Sequence, residues 1–479
     1  MAEYELRKIR PLGKLEEIAA VAHHIDFFTN TGLSVHYRSS RPAPDLQELI
    51  YRAVAHVVRS QPILFAIPVG VGTKEPYWGR LPSIDIKKAV TFVERSTPST
   101  TDSEGRDREL DALLEDQHNT SFKSGYGTLP VWRLVIVRDP GVYHEFTACL
   151  IAHHSMSDGT GLQVFQNSFQ TALSNTSLSS SPPSEVEQDH VIYSNVDDPI
   201  APSLEQVHPL PIPTEAPDAD TPGVQAWKGS PVQVPCKTRY LSLSLAPHVA
   251  QFFARECKKH KATPTAALPS LIARLLFHNL PPTTEALVCN LPVSLRPDLP
   301  PNLVEGVMGN FIDAFKVELL RSDLDDIEDS TARSGNAWNV WTHAQKIQQA
   351  TRRYLVNTSS SGEPYTNIAF FKLIPDLSAA LTATLGNARS ESFEVSNLGT
   401  FSQPQNLKAG APGPVWQAGK VTISRCAYAA GGSLVVCVLG GVENLGFGFT
   451  WQEGAIPEDV VDRIVRGVRM YLDHPRADV

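Results

Sequence analysis

Two adjacent histidines, an aspartate and two glycines stand close together in residues 150–162, LIAHHSMSDGTGL. A histidine can accept or donate a proton near neutral pH, because its ordinary pKa is about 6.5. When the backbone holds it rigidly, it can take the proton from a hydroxyl or amine group that attacks a carbonyl carbon. The segment therefore predicts a general base, suited to direct acyl transfer without a covalent enzyme intermediate.

Other chemistry is possible for these residue types, but their spacing does not favour it. Adjacent histidines on a strand point to opposite faces, so His154 and Asp158 leave too few ligands for a metal. The chain has no GxSxG sequence, which argues against a hydrolase nucleophile. Gly159 and Gly161 begin a GxG pattern, but Val164 stands where a dinucleotide fingerprint has its third glycine. We predict no metal site.

A plainer interpretation makes both histidines structural. One would pack in the core and the other would face solvent, while Asp158 and Gly159 would only begin a helix. The concentration of all these residues in one strand-to-helix turn favours catalysis over this interpretation.

The neighbouring segments are predicted to position this turn. Residues 130–152 have the pattern of two strands joined by an Asp-Pro-Gly turn, and the second strand leads directly into His153. After Gly161 apolar residues recur at helical spacing, and Asp158 or Thr160 is available as the N-cap. The candidate base thus lies between a buried strand and an amphipathic helix.

The chain divides at a segment rich in proline, serine and acidic residues. Its 479 residues exceed what one hydrophobic core usually supports, so two domains are expected. We assign an N-terminal subdomain to residues 1–180, a linker to 181–236 and a C-terminal subdomain to 237–479. Both halves mix helical and strand patterns, which predicts an α/β fold.

Composition argues against several classes of partner. The net charge of −9 offers no general attraction to nucleic acid. The N-terminus has no apolar signal core, and no segment approaches the roughly 18 apolar residues of a membrane span. The six cysteines form no CxxC pair and no zinc spacing. We predict a soluble, cytoplasmic monomer without a tightly bound cofactor.

Residues 153–159 match HHxxxDG at every fixed position, and through this motif the chain resembles the chloramphenicol-acetyltransferase-like superfamily. Other segments resemble that superfamily in the same order along most of the chain, namely RPLGKLE, PVWRLVIV, NLPVSLRPDLPP and GVMGNF. Residues 396–399, SNLG, stand where plant members carry DFGWG. This departure favours the fungal alcohol O-acetyltransferases, or a condensation-type relative.

The resemblance implies two related subdomains packed as a V, with a tunnel between them and the active histidine midway. Acyl-CoA would enter at one mouth and the acceptor at the other. His154, the second histidine, matches the catalytic base of the family. Asp158 matches its structural aspartate, for which Arg296 is the expected salt-bridge partner and Arg133 the fallback.

An oxyanion forms during acyl transfer, and hydrogen-bond donors must lie where its charge develops. The backbone N–H of Gly159 and the side chains of Ser396 and Asn397 are candidates, although both side chains could equally serve a turn. We also assign Ser396 and Asn397 to acyl-CoA binding, while Gly159 would permit the turn and a close approach of the cofactor. Positional candidates for the acceptor pocket are His36, Tyr37, Trp341 and Phe311.

We therefore predict an acyl-CoA-dependent O-acyltransferase, in the first place an acetyl-CoA:alcohol acetyltransferase acting on a small hydroxylated acceptor such as a secondary metabolite. The alternative is an N-acyltransferase acting on an amine, or a condensation-like enzyme that takes its acyl group from a carrier protein. No carrier-protein segment is visible, which favours a freely diffusing thioester. A scaffold protein without catalysis is disfavoured by the intact His154 and Asp158.

Overall fold

The computed structural model describes residues 6–40, 42–43, 45–98, 102–178, 190–213, 224–325, 339–402 and 416–473. Its strands are β1 Arg7–Pro11, β2 Thr31–Ser39, β3 Ala66–Val69, β4 Tyr77–Arg80, β5 Ser83–Asp85, β6 Val90–Glu94, β7 Trp132–Arg138, β8 Glu145–Ala152, β9 Val191–Tyr193, β10 Ala226–Trp227, β11 Thr238–Leu245, β12 Ala286–Ser294, β13 Ile312–Leu320, β14 Phe393–Thr400, β15 Trp416–Arg425, β16 Leu434–Gly440 and β17 Leu445–Gln452. Its α-helices are α1 Lys14–His24, α2 Leu46–Ser60, α3 Ile86–Ala89, α4 Arg108–Asn119, α5 Gly159–Leu178, α6 Leu204–Val207, α7 Pro247–Lys259, α8 Pro264–Asn279, α9 Pro301–Val304, α10 Ser322–Asp325, α11 Trp341–Val356, α12 Leu377–Thr382 and α13 Glu458–Asp473.

The first large sheet has the strand order β15-β2-β8-β7-β6 in the described part of the chain. Thr31 of β2 lies between Arg425 of β15 and Ala152 of β8 in this register. Strand β8 ends at Ala152, and the histidine turn follows it directly. Arg425, which lies in the same row as Thr31 and Ala152, is therefore at the edge of the sheet where this turn begins. Two smaller sheets, β1-β4-β3 and β5-β9, accompany it.

Helices α2 and α5 pack against each other beside this sheet, and both follow the predicted pattern. The apolar residues of 45–60 recur at helical spacing and predict a helix, which α2 confirms; the carboxylate of Asp45 accepts a hydrogen bond from the Glu48 N–H and caps it. In α5 the predicted apolar face is fully buried, and each of its aromatic side chains contributes on the order of 2 kcal/mol to folding. The apolar face consists of Leu162, Phe165, Phe169 and Leu173, of which the two phenylalanines are aromatic.

One local expectation differs. The sequence QPILF predicts the start of a strand, but it forms a short 3-10 helix over Pro62–Phe65, and β3 begins only at Ala66. A proline in the first helical turn loses no hydrogen bond, because its missing N–H would have no partner within the helix.

The second large sheet has the order β10-β12-β14-β16-β17-β11, with β13 on β12. Helices α8, α11 and α13 pack together on it and form a second core. The apolar stripe of α13 lies in this core, with Val461, Ile464 and Val468 fully buried. The apolar stripe of this helix could serve core packing or binding to a lipid surface, its sequence favours core packing, and the structure confirms core packing.

Strand β15 crosses between the two halves. It belongs to the range 237–479, yet it pairs with β2 in the first sheet. The two sheets therefore do not separate cleanly at residue 237, because the C-terminal range supplies an edge strand to the N-terminal core.

The predicted linker 181–236 also contributes to the folded structure. Its described residues include β9, which pairs with β5, and β10, which lies at the edge of the second sheet. Both strands are only two or three residues long, as expected where proline limits hydrogen bonding to sheet edges. Residues 181–189 and 214–223 lie outside the described part of the chain.

Candidate active site

The HHxxxDG turn connects the end of β8 to the first residue of α5 and is held by the segment 309–311 of the other half. The backbone carbonyl of His154 accepts a hydrogen bond from Nδ2 of Asn310 at 2.8 Å. The N–H of Asp158 donates to the carbonyl of Gly309 at 3.0 Å. Because both ends of the turn are fixed to one segment, the backbone of the candidate base has little freedom.

Asp158 anchors this turn with a carboxylate that is almost completely buried. Its Oδ1 accepts from the N–H of Gly161 at 2.7 Å, which caps α5, and its Oδ2 accepts from the N–H of Phe311 at 3.0 Å. Nη2 of Arg296 lies 3.2 Å from Oδ1 and 3.4 Å from Oδ2. The structure thus brings together Asp158 and Arg296, the first candidate for the salt bridge.

Arg296 also organises the loop before β13. Its guanidinium donates to the carbonyls of Val304, of Val307 at 3.1 Å and of Gly309 at 3.2 Å, and it lies 4.9 Å from the ring centre of Phe311. One side chain therefore fixes both the loop and the Asp158 carboxylate.

Arg133, the fallback partner, lies elsewhere. Its guanidinium donates to Oε1 of Gln117 at 2.6 Å and to the carbonyl of Thr120 at 2.7 Å, and it stacks on Phe122. The structure does not bring Arg133 to Asp158.

His154 itself is half-buried. Its Nδ1 atom is buried and has no well-aligned hydrogen-bond partner among the described residues, which leaves Nε2 as the ring nitrogen able to meet a substrate. Burial lowers the pKa of His154, and the positive charge of Arg425 lowers it further. Its own backbone carbonyl, Asp158 and Glu394 act in the opposite direction. The net lowering keeps the imidazole neutral, as a proton acceptor must be, at pH 7.

His153 has a packing role. It is buried, with its ring centre 4.6 Å from that of His23, and its Nδ1 accepts from the N–H of Ser155 at 3.1 Å and from the Ser155 hydroxyl at 2.7 Å. The Ser157 hydroxyl donates to the carbonyl of Asp158 at 3.0 Å. The hydroxyl groups of Ser155 and Ser157 thus form hydrogen bonds to other residues of the turn.

Strand β14 brings a second group of residues to the turn. A Cβ atom on Gly159 would lie 2.2 Å from Cδ2 of Leu398, so the bare glycine makes room for β14. Gly159 does not have a positive φ, so its role in the turn does not depend on the left-handed backbone that glycine allows. The group that comes close to Gly159 is the side chain of Leu398.

The structure distinguishes the two polar residues of SNLG. Side chains alternate along a strand, so Ser396 shares a face with Glu394 and Leu398, the face that reaches the histidine turn. Asn397 points to the other face, where its Nδ2 donates to the Thr265 hydroxyl at 3.0 Å. Of the two residues, Ser396 lies on the face of β14 that carries Glu394.

An ion pair beside His154 was not found from the sequence. Nη1 of Arg425 lies 2.5 Å from Oε1 of Glu394, whose other oxygen accepts from Nδ2 of Asn290 at 3.0 Å. The guanidinium lies 5.3 Å from the ring centre of Phe28, which lies 5.5 Å from that of His154. These residues come from four separate segments, so no spacing rule indicates them. Asn310 belongs to GVMGNF, a segment that the sequence resemblance does indicate.

The four positional candidates for the acceptor pocket do not form one group. Tyr37 is buried in the first core, and its hydroxyl donates to the carbonyl of Gln166. Trp341 stacks on His260, and His36 lines a separate cavity of about 110 Å³. Phe311 lies under Arg296, as described above, and its side chain is fully buried.

Two further searches cover the described residues only. In this part of the chain no three or more His, Cys, Asp or Glu side chains are grouped as metal ligands would be. None of the described helices combines the length and the apolar character that crossing a bilayer requires.

Solved structures share this fold at low sequence identity. The TRI3 trichothecene 15-O-acetyltransferase from Fusarium sporotrichioides matches with a TM-score of 0.67 at 12% identity, covering 97% of this chain and 94% of that one. The first condensation domain of the calcium-dependent antibiotic synthetase matches with a TM-score of 0.58 at 14% identity, covering 98% and 97%. The fold is thus the mixed α/β, two-subdomain architecture of acetyltransferases and condensation domains, as predicted.

Sequence relatives narrow this class. An Aspergillus fumigatus protein named "Probable alcohol acetyltransferase crmB" is 40% identical over 468 residues, which cover 96% of this chain and 98% of that protein. A Fusarium pseudograminearum protein named "Probable alcohol acetyltransferase FCK4" is 26% identical over 462 residues, covering 88% and 85%. No protein-family model matches the chain. The chain belongs to the alcohol acetyltransferase family of acyltransferase enzymes, and the predicted assignment to this group is confirmed.

Proposed function

We propose that the protein transfers an acyl group from acyl-CoA, in the first place acetyl-CoA, to the hydroxyl group of a small alcohol, with His154 as the general base. The environment of His154 carries this proposal. Its backbone is fixed at both ends of the turn, one ring nitrogen is buried, and its pKa is lowered. A neutral, rigid imidazole with one accessible nitrogen is what proton removal from an alcohol requires.

In this mechanism Nε2 of His154 accepts the hydroxyl proton while the alcohol oxygen attacks the thioester carbonyl carbon. The tetrahedral intermediate carries its negative charge on the former carbonyl oxygen. Its collapse breaks the C–S bond and re-forms the carbonyl, and the departing CoA thiolate takes the proton back from the imidazolium. Each turnover thus returns His154 to its neutral form.

The oxyanion needs a donor near the reacting carbon, and the Ser396 hydroxyl and the Gly159 N–H are our candidates. Both belong to the meeting point of β14 and the turn. We assign acyl-CoA to the same region and place the acceptor opposite, along a tunnel between the two subdomains. Asn397 is the weaker candidate, because its side chain donates to Thr265 on the far face of β14.

The names of the relatives support the choice of substrates. Two of them are called alcohol acetyltransferases, and the TRI3 enzyme is a trichothecene 15-O-acetyltransferase. We therefore propose a hydroxylated secondary metabolite as the acceptor and acetyl-CoA as a freely diffusing co-substrate.

The test is acetyl transfer by purified protein. Acetyl-CoA is offered with cyclohexanol and decanol and with the matched amines, and free thiol and acetylated product are measured. His154→Ala should lower transfer about 10³-fold, since a positioned base contributes that order of rate. His56→Ala, which removes an exposed histidine of α2, should not.

Each result decides between the alternatives. An unchanged rate in His154→Ala would overturn the general-base assignment. Acetylation of the amines but not the alcohols would favour the N-acyltransferase, and transfer only from an acyl carrier protein would favour the condensation-like enzyme.

We also propose that the protein works as a cytoplasmic monomer. Light scattering on the purified chain would test the oligomeric state, and microscopy of a fluorescently tagged chain would test the compartment.

A further inference from the structure

Four side chains from four segments form a continuous row beside the active turn. Asn290 of β12 donates to Glu394 of β14, Glu394 pairs with Arg425 of β15, and the Arg425 guanidinium lies over the ring of Phe28. Phe28 in turn packs against the ring of His154, with 5.5 Å between ring centres. The row therefore ends at His154, the proposed general base.

The fold explains why this row exists. Glu394 belongs to the second sheet, whereas Arg425 ends the strand that crosses into the first sheet. In that sheet Arg425 lies beside Thr31, which pairs with the last residue of β8. The ion pair therefore joins the two large sheets, level with Ala152, the residue that precedes His153.

The pair is buried, which makes its electrostatic effect large. The Arg425 side chain is 15% exposed and that of Glu394 is 9% exposed. Charges that are shielded from water act on their neighbours over a longer range than surface charges do. Burying both is costly unless they remain paired, so such a pair needs a reason other than stability.

The remaining charges near His154 can be named. Asp158 belongs to the same turn, and its carboxylate is paired with Arg296. The neighbouring His153 is neutral, because burial lowers its pKa well below the ordinary value. Tyr428, which packs on Phe28, also stays neutral, because burial raises the pKa of its phenol. Among the described charged groups that influence the pKa of His154, Arg425 and Glu394 thus remain, and they pair with each other.

We propose that Arg425 and Glu394 are positioning residues for catalysis. Through Phe28 they hold the ring of His154, and their opposite charges set its protonation. The positive charge of Arg425 disfavours the imidazolium form of His154 and keeps the base neutral in the resting enzyme. The negative charge of Glu394 favours the imidazolium form and prevents His154 from becoming too weak a base. This proposal deepens the proposed function and rests on it for its catalytic consequence.

The two charges predict opposite effects. Arg425→Gln leaves Glu394 unopposed, so the pKa of His154 should rise by on the order of one unit. Glu394→Gln leaves Arg425 unopposed, so the pKa should fall by a similar amount. A purely structural role for the pair would change the fold in both variants without opposite shifts.

The experiment is an NMR titration of the full-length protein with isotope-labelled histidine, with the His154 signal assigned by its absence in His154→Ala. It needs no turnover, so it can fail independently of the proposed acyl transfer. The matched control is Arg95→Gln, which breaks another buried ion pair of 2.5 Å, that of Arg95 with Asp107. This control should lower the melting temperature and leave the pKa of His154 unchanged.

Arg425→Lys is the second variant if Arg425→Gln does not fold, since it retains the charge without the planar guanidinium. It should keep the pKa of His154 near the wild-type value and yet lower kcat, because a lysine cannot stack on Phe28 and bind Glu394 in the same geometry. In an active enzyme, the acid limb of the pH–rate profile should move in the directions given above. Shifts of the same sign in Arg425→Gln and Glu394→Gln, or no shift in either, would overturn the proposal.

Discussion

The carboxylate of Asp158 lies 3.2 Å from Nη2 of Arg296, although 138 positions separate the two residues in the chain. Their side chains are 1% and 10% exposed, so the contact is made in the interior, between the histidine turn and the second half. The same carboxylate caps α5 through Gly161 and fixes the loop through Phe311. The position of His154 therefore depends on a contact between distant parts of the sequence.

Replacing one partner of this pair should be costly. In Asp158→Asn the guanidinium of Arg296 stays buried without its counter-charge, and loss of one partner of a buried pair destabilises by about 3 kcal/mol or more. We expect a clearly lower midpoint of urea unfolding and a loss of acyl transfer. Asp26→Asn is the control, because Asp26 pairs with Lys123 at the surface and such pairs contribute less than about 1 kcal/mol. Equal effects of both substitutions would contradict the anchoring role.

Gly159→Ala should impair the site through Leu398. The new Cβ would lie 2.2 Å from Cδ2 of that leucine, so either β14 or the turn must move. Overpacking of this kind typically costs about 1–3 kcal/mol. The double variant Gly159→Ala/Leu398→Ala should recover part of the lost kcat and stability, because the clash is gone. If the double variant loses more kcat and stability than the two single variants together, the clash with Leu398 is not the cause of the impairment.

Ser396→Ala and Asn397→Ala should differ in their kinetics. Loss of a donor to the oxyanion lowers kcat by about 10²-fold or more. Ser396 shares the face of β14 that reaches the turn, so its replacement should lower kcat with little change in KM. Asn397→Ala removes the hydrogen bond to the Thr265 hydroxyl and the one that Oδ1 accepts from the Gly399 N–H, and it should leave kcat within a few-fold of wild type. Steady-state kinetics with acetyl-CoA measures both, and the reverse order would exclude Ser396 as the donor.

Asp111 should make stability depend on pH. Burial raises the pKa of its carboxyl from 3.8 to about 7, although Ser242 donates two hydrogen bonds to it. The folded protein therefore holds this proton more tightly than the unfolded chain does, so the contribution of Asp111 to stability falls as the pH rises from about 4 to about 7.

Asp111→Asn removes this titration and keeps the acceptor for Ser242. The difference in melting temperature between the variant and the wild type should therefore grow in favour of the variant from pH 5.5 to pH 8. A difference that does not change with pH would contradict the raised pKa of Asp111.

Much of the local structure around the site could be predicted. The strand before the histidines, the helix after them and the cap by Asp158 depend on residues close together in the sequence, where periodicity and capping rules apply. The resemblance to the superfamily also indicated Arg296, in the segment NLPVSLRPDLPP, as the salt-bridge partner of Asp158. Gly159 shows the limit of local rules, because its lack of a side chain serves a leucine on a distant strand.

The sequence by itself predicted a histidine base in a turn and an anchoring aspartate, and it determined membership of an acyltransferase group. Tertiary structure alone decided that Arg296 and not Arg133 meets Asp158, that the face of β14 with Ser396 and not the one with Asn397 reaches the turn, and that β15 carries Arg425 to Glu394. These outcomes depend on strand register and on the crossing of one strand into the other sheet. Such contacts join residues far apart in the chain, and neither composition nor periodicity encodes which of them meet.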